Sequence, residues 1–213
     1  MTLDLALLRA SLLPEPAAGH VLSEEGADSL PLTPAAVLFP IVSRADGQTV
    51  LLTKRTAHLR DHPGQISFPG GRVETTDPTP IHTALRETAE EIGLGEAHVE
   101  ILGFLPEYRT VTGFRITPVV GLVTPPFELR ADPFEVAEVF EVPLSFLLDP
   151  ANHERQFVEY KGGLRQYYAI SYGEYLIWGA TAGMIRFLFE RLHAIGELHS
   201  ADRCDIVRRS IAE

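Results

Sequence analysis

Three glutamates, Glu87, Glu90 and Glu91, stand at i, i+3 and i+4 in the segment from Pro80 to Ile92. At 100° per residue they fall together on one side of a helix, nearly opposite a broad apolar side made of Ile81, Ala84, Leu85, Ala89 and Ile92. Arg86 lies one turn before Glu90 and therefore beside it. Solvated carboxylates so arranged repel one another by a few tenths of a kcal/mol per pair, and by more when partly buried. The set suits an ordinary solvated face, and it equally suits a site for a hard divalent cation, because ligands made only of oxygen select magnesium or manganese. A phosphate charge ~4 Å from one carboxylate is repelled by about 4 kcal/mol at an effective dielectric near ~20. Anionic phosphates would reach this face only with metal ions standing between.

The elements that must position these groups can be read from pattern and punctuation. Asp77-Pro78 and Thr79-Pro80 each offer a capping side chain followed by proline, and Gly93 is the stop, so the spacing predicts a helix over 80–92. Ahead of it, Ala35 to Ser43 and Thr49 to Lys54 read as strands joined by the turn Ala45-Asp46-Gly47. After it, strands are expected at Val99 to Leu105, Arg115 to Val123 and Arg165 to Ile170, with a strand or turn over Glu135 to Val142 and a short helix over Pro143 to Leu148. Leu176 to His193 reads as a second major helix, and Leu3 to Leu13 as a short amphipathic one. Pro14 to Pro34 reads as a connector. Strands and helices mix without regular βαβ alternation, which predicts one α+β domain over 35–195, preceded by the helix and connector over 1–34 and followed by a tail over 196–213.

Composition narrows the functions available. With 18 Lys+Arg against 29 Asp+Glu the net charge is -11, which disfavours nucleic acid and anionic membrane as partners. The single cysteine, Cys204, allows no internal disulfide and no catalytic part is expected of it. Apolar runs fall far below the ~20 residues that cross a bilayer, and Asp4 stands ahead of Leu5, Leu7 and Leu8 where a secretory signal carries basic residues, so an intracellular, cytoplasmic chain is expected. Phosphate-binding P-loop and Gly-x-Ser-x-Gly patterns are absent, so Ser67 is not read as a nucleophile. His58 and His62, four apart, lack the context of a zinc site. Lys54, Arg55 and Arg60 are cations suited to phosphate in an acidic chain, or to ordinary salt bridges. Tyr167, Tyr168, Tyr172, Tyr175 and Trp178 could stack on a base or fill a core. Glu135 and Glu138, after the turn at Asp132-Pro133, are candidate general bases beside Glu90.

The stretch GGRVETTDPTPIHTALRETAEEIGL resembles the Nudix box through Gly71, Asp77, Arg86, Glu87, Glu90, Glu91, Gly93 and Leu94. Asp77 stands where the usual box has Glu, with one extra residue before Arg86. That spacing, the preceding LLTKRTAHLRDHPGQISFPGG, and the later RTVTGFRITPVVG, EVAEVFEVPLSFLLDP and IWGATAGMI are similar to the coenzyme A pyrophosphatase branch of that superfamily. The likeness runs from about Ala35 to Leu192. It implies an α/β/α sandwich around a mixed sheet and metal-dependent hydrolysis of the coenzyme A diphosphate to 4′-phosphopantetheine and adenosine 3′,5′-bisphosphate. It further implies that Glu87 and Glu91 hold Mg2+ or Mn2+ with Glu90 completing the cluster, that Arg86 orients them, and that Gly70 and Gly71 let backbone approach. Arg55 and Arg60 would meet the substrate, and Thr110, Thr112, Gly113 and Phe114 resemble the branch's substrate-side loop. Two other functions fit the same residues: a Nudix hydrolase of a dinucleotide or ADP-ribose, and a silent ligand-binding module. The hydrophobic N-terminal helix and the C-terminus could serve a homodimer interface.

Overall fold

The computed structural model describes residues 3–16, 21–24, 27, 31–59, 62–160 and 163–210, with backbone alone for Val21, Tyr160, Gly163 and residues 197–210. Its centre is a mixed sheet. The long strand β2 (Thr33–Arg44) turns through Ala45 and Asp46 into β3 (Gly47–Arg55), with Arg44 opposite Gly47, the hairpin that the Asp-Gly pair predicts. Two short strands, β4 (Ile66–Ser67) and β5 (Gly70–Arg72), lie against β3 and β2. The helix α2 (Pro80–Ile92) follows, and then β6 (Val99–Phe104), β7 (Glu107–Arg109), β8 (Phe114–Val123) and β9 (Val136–Pro143). β8 runs parallel to β2 over ten residue pairs, whereas β3, β6 and β9 join by antiparallel pairing, so the sheet is mixed. Part of the expected connector enters this sheet as β1 (Val21–Ser23), parallel to β7.

Alternation along the central strands builds one core on each sheet face. Ala36, Leu38, Val42 and Leu51 point one way and meet Ala84 and Ile92 of α2. Phe39, Ile41, Val50 and Leu52 point the other way, towards Leu8 and Leu12 at α1 (Leu5–Ser11), Leu144 and Leu147 of α3 (Leu144–Leu147), and Ile185 and Leu188 of α4 (Ala180–Ser210). The result is an α/β/α sandwich around a mixed sheet.

The segment after residue 153 departs from expectation. A second, antiparallel sheet forms from β10 (Glu154–Tyr160), β11 (Gly163–Tyr172) and β12 (Tyr175–Trp178). The residues 176–178, expected to open the second helix, are therefore strand. Gly173 at φ 58 turns β11 into β12, and Gly179 at φ 63 releases the chain into α4, so the helix begins only at Ala180. Aromatic and β-branched side chains in Tyr175-Leu176-Ile177-Trp178 favour the pleated strand. α4 then runs through the segment expected as a tail, as far as Ser210.

Candidate metal and diphosphate site

The helix α2 owes its position to both ends. Thr79 caps its start, accepting from the His82 amide, Pro80 occupies the first turn, and Gly93 ends it in the left-handed conformation at φ 71. Its buried side is Thr83, Ala84, Thr88, Glu91 and Ile92, not the Ile81, Leu85 and Ala89 stripe alone: Ala89 is exposed and Leu85 half-buried. The three glutamates consequently live in different surroundings. The Glu90 side chain is 60% exposed, that of Glu87 18% and that of Glu91 only 6%. The expectation that all three lie nearly opposite the apolar side is corrected for Glu91, which shares the buried arc with Ala84, Thr88 and Ile92 and is covered where β5 passes over α2.

That crossing is close. The Gly70 amide donates to Glu91 Oε2 at 3.2 Å. Gly71 touches the Glu87 carboxylate so closely that a Cβ there would collide with it. Gly70, at φ 152, lies against the backbone of Ala36 and Val37. Burial pushes the Glu91 carboxyl up to about 8, with Glu87 and Glu135 adding to the effect and the Gly70 amide and Arg55 opposing it. Burial likewise raises Glu87, opposed by Arg86.

Arg86 is the hub of the acidic cluster. Its guanidinium donates to both oxygens of Asp77 at 3.0 and 2.9 Å, to Glu87 Oε1 and Glu90 Oε2 at 3.0 Å each, and to the Arg72 carbonyl at 3.2 Å. Asp77 was expected to offer a cap and to stand where the usual box has Glu. It grips Arg86 in a two-pronged pair, takes a further 2.9 Å bond from Thr83 Oγ1, and is held well below the usual carboxylate range, mainly by Arg86. Its nine-residue separation from Arg86 gives no helical register, so the spacing did not reveal the pair. Among the described residues no three carboxylate or imidazole groups already converge at metal-ligand spacing. Arg86 holds Glu87 and Glu90 while Glu91 turns to Gly70.

The other candidates divide by place. Arg55, at the end of β3, brings Nη1 to 4.0 Å from Glu91 Oε1, and its Nε is buried with no hydrogen-bond partner among the described residues. Glu135 follows the turn at Asp132. That turn is tied to α2 by the Asp132 amide bonding the Glu91 carbonyl at 2.8 Å, and to β3 by the Thr56 amide bonding the Glu135 carbonyl at 2.9 Å. The Glu135 charge is felt by both Glu87 and Glu91. Glu138 is elsewhere: it pairs with Lys54 across β3 and β9, on the far sheet face, and accepts from the Tyr175 hydroxyl. Arg60 and the Cys204 side chain lie outside the described residues. The aromatics Tyr167 and Trp178 pack edge to face, Tyr172 packs on Phe146, and Tyr175 stacks on Phe140 at 3.9 Å, so these rings serve the second sheet and its seat on the domain.

No helix among the described residues is long and apolar enough to cross a membrane. Residues 32–160 match the model of the NUDIX domain. The chain is 42% identical over 188 residues to the uncharacterized Nudix hydrolase NudL of Enterobacter sp. (strain 638), covering 88% of this chain and 93% of that protein. It is 44% identical over 154 residues to the NudL of Escherichia coli (strain K12), covering 72% and 80%. The crystal structure of MutT protein from Methanosarcina mazei Go1 superposes with a TM-score of 0.50 at 18% identity, over 79% of this chain and 97% of that one, and shares the fold. With residues 32–160 matched by the family model and relatives 42% and 44% identical over most of its length, the chain is a member of the Nudix hydrolase family.

Proposed function

We propose that this Nudix hydrolase cleaves the diphosphate linkage of coenzyme A or its derivatives, with Mg2+ or Mn2+, to 4′-phosphopantetheine and adenosine 3′,5′-bisphosphate. The observation that carries the hydrolytic reading is Glu91: a carboxyl buried under Gly70, beside Glu87 and 4.0 Å from Arg55 Nη1. A fold does not bury an acid next to two others for stability's sake. The all-oxygen donor set of Glu87, Glu90 and Glu91 fits a hard divalent cation, and the Gly71 cradle against Glu87 fixes one donor in place. Such a cation, when bound, neutralises diphosphate charge and acidifies an attacking water.

The chain's own residues supply the rest. Arg86 orients Glu87 and Glu90 from behind. The buried Arg55 donor is available to a non-bridging phosphate oxygen, which would satisfy it. Glu135, presented from a separate loop beside Glu87 and Glu91, takes the proton of the attacking water as its oxygen bonds to phosphorus and the bridging P–O bond breaks. Glu138 is the weaker choice for that role because Tyr175 engages it on the other face of the sheet. The coenzyme A assignment rests on the likeness of Leu51 to Gly71, the segment that delivers both Arg55 and the glycine pair.

The test is a product screen with Mg2+ and with Mn2+ over coenzyme A, a dinucleotide and ADP-ribose. Release of phosphopantetheine with the highest kcat/KM on coenzyme A is expected. A clear preference for either other substrate would move the chain to another Nudix specificity, and tight binding without product would make it a silent module. In the same assay Glu135→Gln should lower turnover by about a hundredfold or more and Glu138→Gln should not.

A further inference from the structure

Arg72 is a cation without an obvious purpose. It follows Gly71 directly, its carbonyl is held by Arg86, and its side chain, alternating with the Gly71 position that faces Glu87, leaves β5 on the sheet face away from α2. The neighbouring acids Asp77, Glu87 and Glu90 are all engaged by Arg86. The contact Arg72 makes is with an aromatic ring: its guanidinium lies 5.5 Å from the centre of Phe114. The sheet sets up this meeting. Arg72 pairs with Ala35, and Phe114 pairs with Thr33 two residues earlier on β2, so both side chains leave the same face of the sheet.

Phe114 is held firmly. Its amide donates to the buried Thr110 Oγ1 at 3.0 Å, its carbonyl accepts from the Thr110 amide at 2.9 Å, and the preceding Gly113, at φ 89, accepts from the Thr33 amide at 2.8 Å. A guanidinium laid over a fixed ring loses little further freedom on binding, and it keeps its in-plane N–H donors for a bidentate acceptor. A phosphate monoester is the ligand that this arrangement fits: doubly charged, with three oxygens, where the diester linkage at the metal site offers less charge.

We propose that Arg72, supported by Phe114, recognises a phosphate monoester carried by the substrate outside the bond that is cleaved, the 3′-phosphate that sets coenzyme A apart from ordinary adenosine diphosphate esters. The proposal rests on the coenzyme A reading above and makes Arg72 a specificity residue of that site. The experiment compares coenzyme A with 3′-dephospho-coenzyme A. The wild-type chain should favour the phosphorylated substrate in kcat/KM, mainly through KM. Arg72→Ala should reduce that preference by about tenfold or more, the scale of a charge-assisted hydrogen-bonded pair. Arg72→Lys, which keeps charge and loses the fork, should recover part of it, and Phe114→Leu should lower it with Arg72 intact. A preference that survives Arg72→Ala, or none in the wild type, overturns the proposal. If the chain hydrolyses no coenzyme A, the substrate reading fails and the binding arm alone decides. Tighter binding of adenosine 3′,5′-bisphosphate than of adenosine 5′-monophosphate, lost in Arg72→Ala, supports the phosphate site, and equal binding of the two overturns it.

Discussion

Glu91 shows how one residue can oppose stability while serving chemistry. In the unfolded chain its carboxyl ionises near the ordinary 4.5, whereas burial in the fold pushes it up to about 8. The folded state therefore keeps a proton that the unfolded state has given up across that interval. This contribution is whole below about pH 4.5 and is lost as pH climbs towards 8, at about 1.4 kcal/mol for each unit of displacement. Glu87 and Glu24, both also raised by burial, act in the same sense. Asp77 and Glu141 are lowered, and their contributions fade only in acid, so they do not confuse the neutral range. In a chelator, the melting temperature should fall between pH 5 and pH 8.5. Glu91→Gln should flatten the slope and leave the variant more stable than wild type at pH 8, while metal-dependent turnover drops by orders of magnitude. Thermal melts and turnover on the same preparations check both halves. A variant that melts earlier at pH 8, or that keeps near-normal turnover, contradicts the role given to Glu91.

At the scale of elements, β5, packed against α2, does the positioning, and its two glycines fail differently. A Cβ on Gly71 would strike the Glu87 carboxylate, the far end of a flexible side chain that can swing away. Gly71→Ala should therefore fold with a melting temperature close to wild type and lose most of its turnover, because Glu87 is displaced. A Cβ on Gly70 would strike the Ala36 carbonyl and the Val37 backbone, at a φ of 152 that other residues rarely adopt. Gly70→Ala should lower the melting temperature itself, and comparing melts with turnover separates the two. The same contrast explains what could be read from sequence. Thr79-Pro80 and Gly93 bound α2 by local chemistry, so its limits were legible, as was the hairpin at Ala45 and Asp46. Glu91 was set with Glu87 and Glu90 nearly opposite the apolar side, whereas it shares the buried arc with Ala84, Thr88 and Ile92, and a helical projection does not say what packs over it. The covering strand and the Asp77–Arg86 pair come from contacts between segments with no shared period. Leu176 to Trp178 was misread because an apolar run continuous with Ala180 hides the break that Gly179 makes.

Over the whole molecule, charge and proton balance act together. A chain of net charge -11 attracts any divalent cation weakly, so cation binding alone is poor evidence of a site. A specific site differs because Glu91 must surrender its proton before it can act as a ligand, so affinity falls below about pH 8 and binding releases protons. At a Mn2+ concentration near a hundred times the dissociation constant at pH 8, mass action stabilises the fold by about 2.7 kcal/mol. For a domain of roughly 200 residues that is a rise of about 5–10 °C in melting temperature. At pH 5.5 the same Mn2+ should give a much smaller rise, since protons compete for the buried carboxylate. Sodium chloride at matched ionic strength should reproduce neither the size nor the pH dependence, because screening of surface repulsion does not distinguish Glu91 from any exposed acid. Glu91→Gln should abolish the pH dependence and most of the rise, leaving only what general attraction supplies. If that variant responds to Mn2+ as the wild type does, at both pH values, the cation is held by the protein's overall charge and not by the carboxylates beneath Gly70.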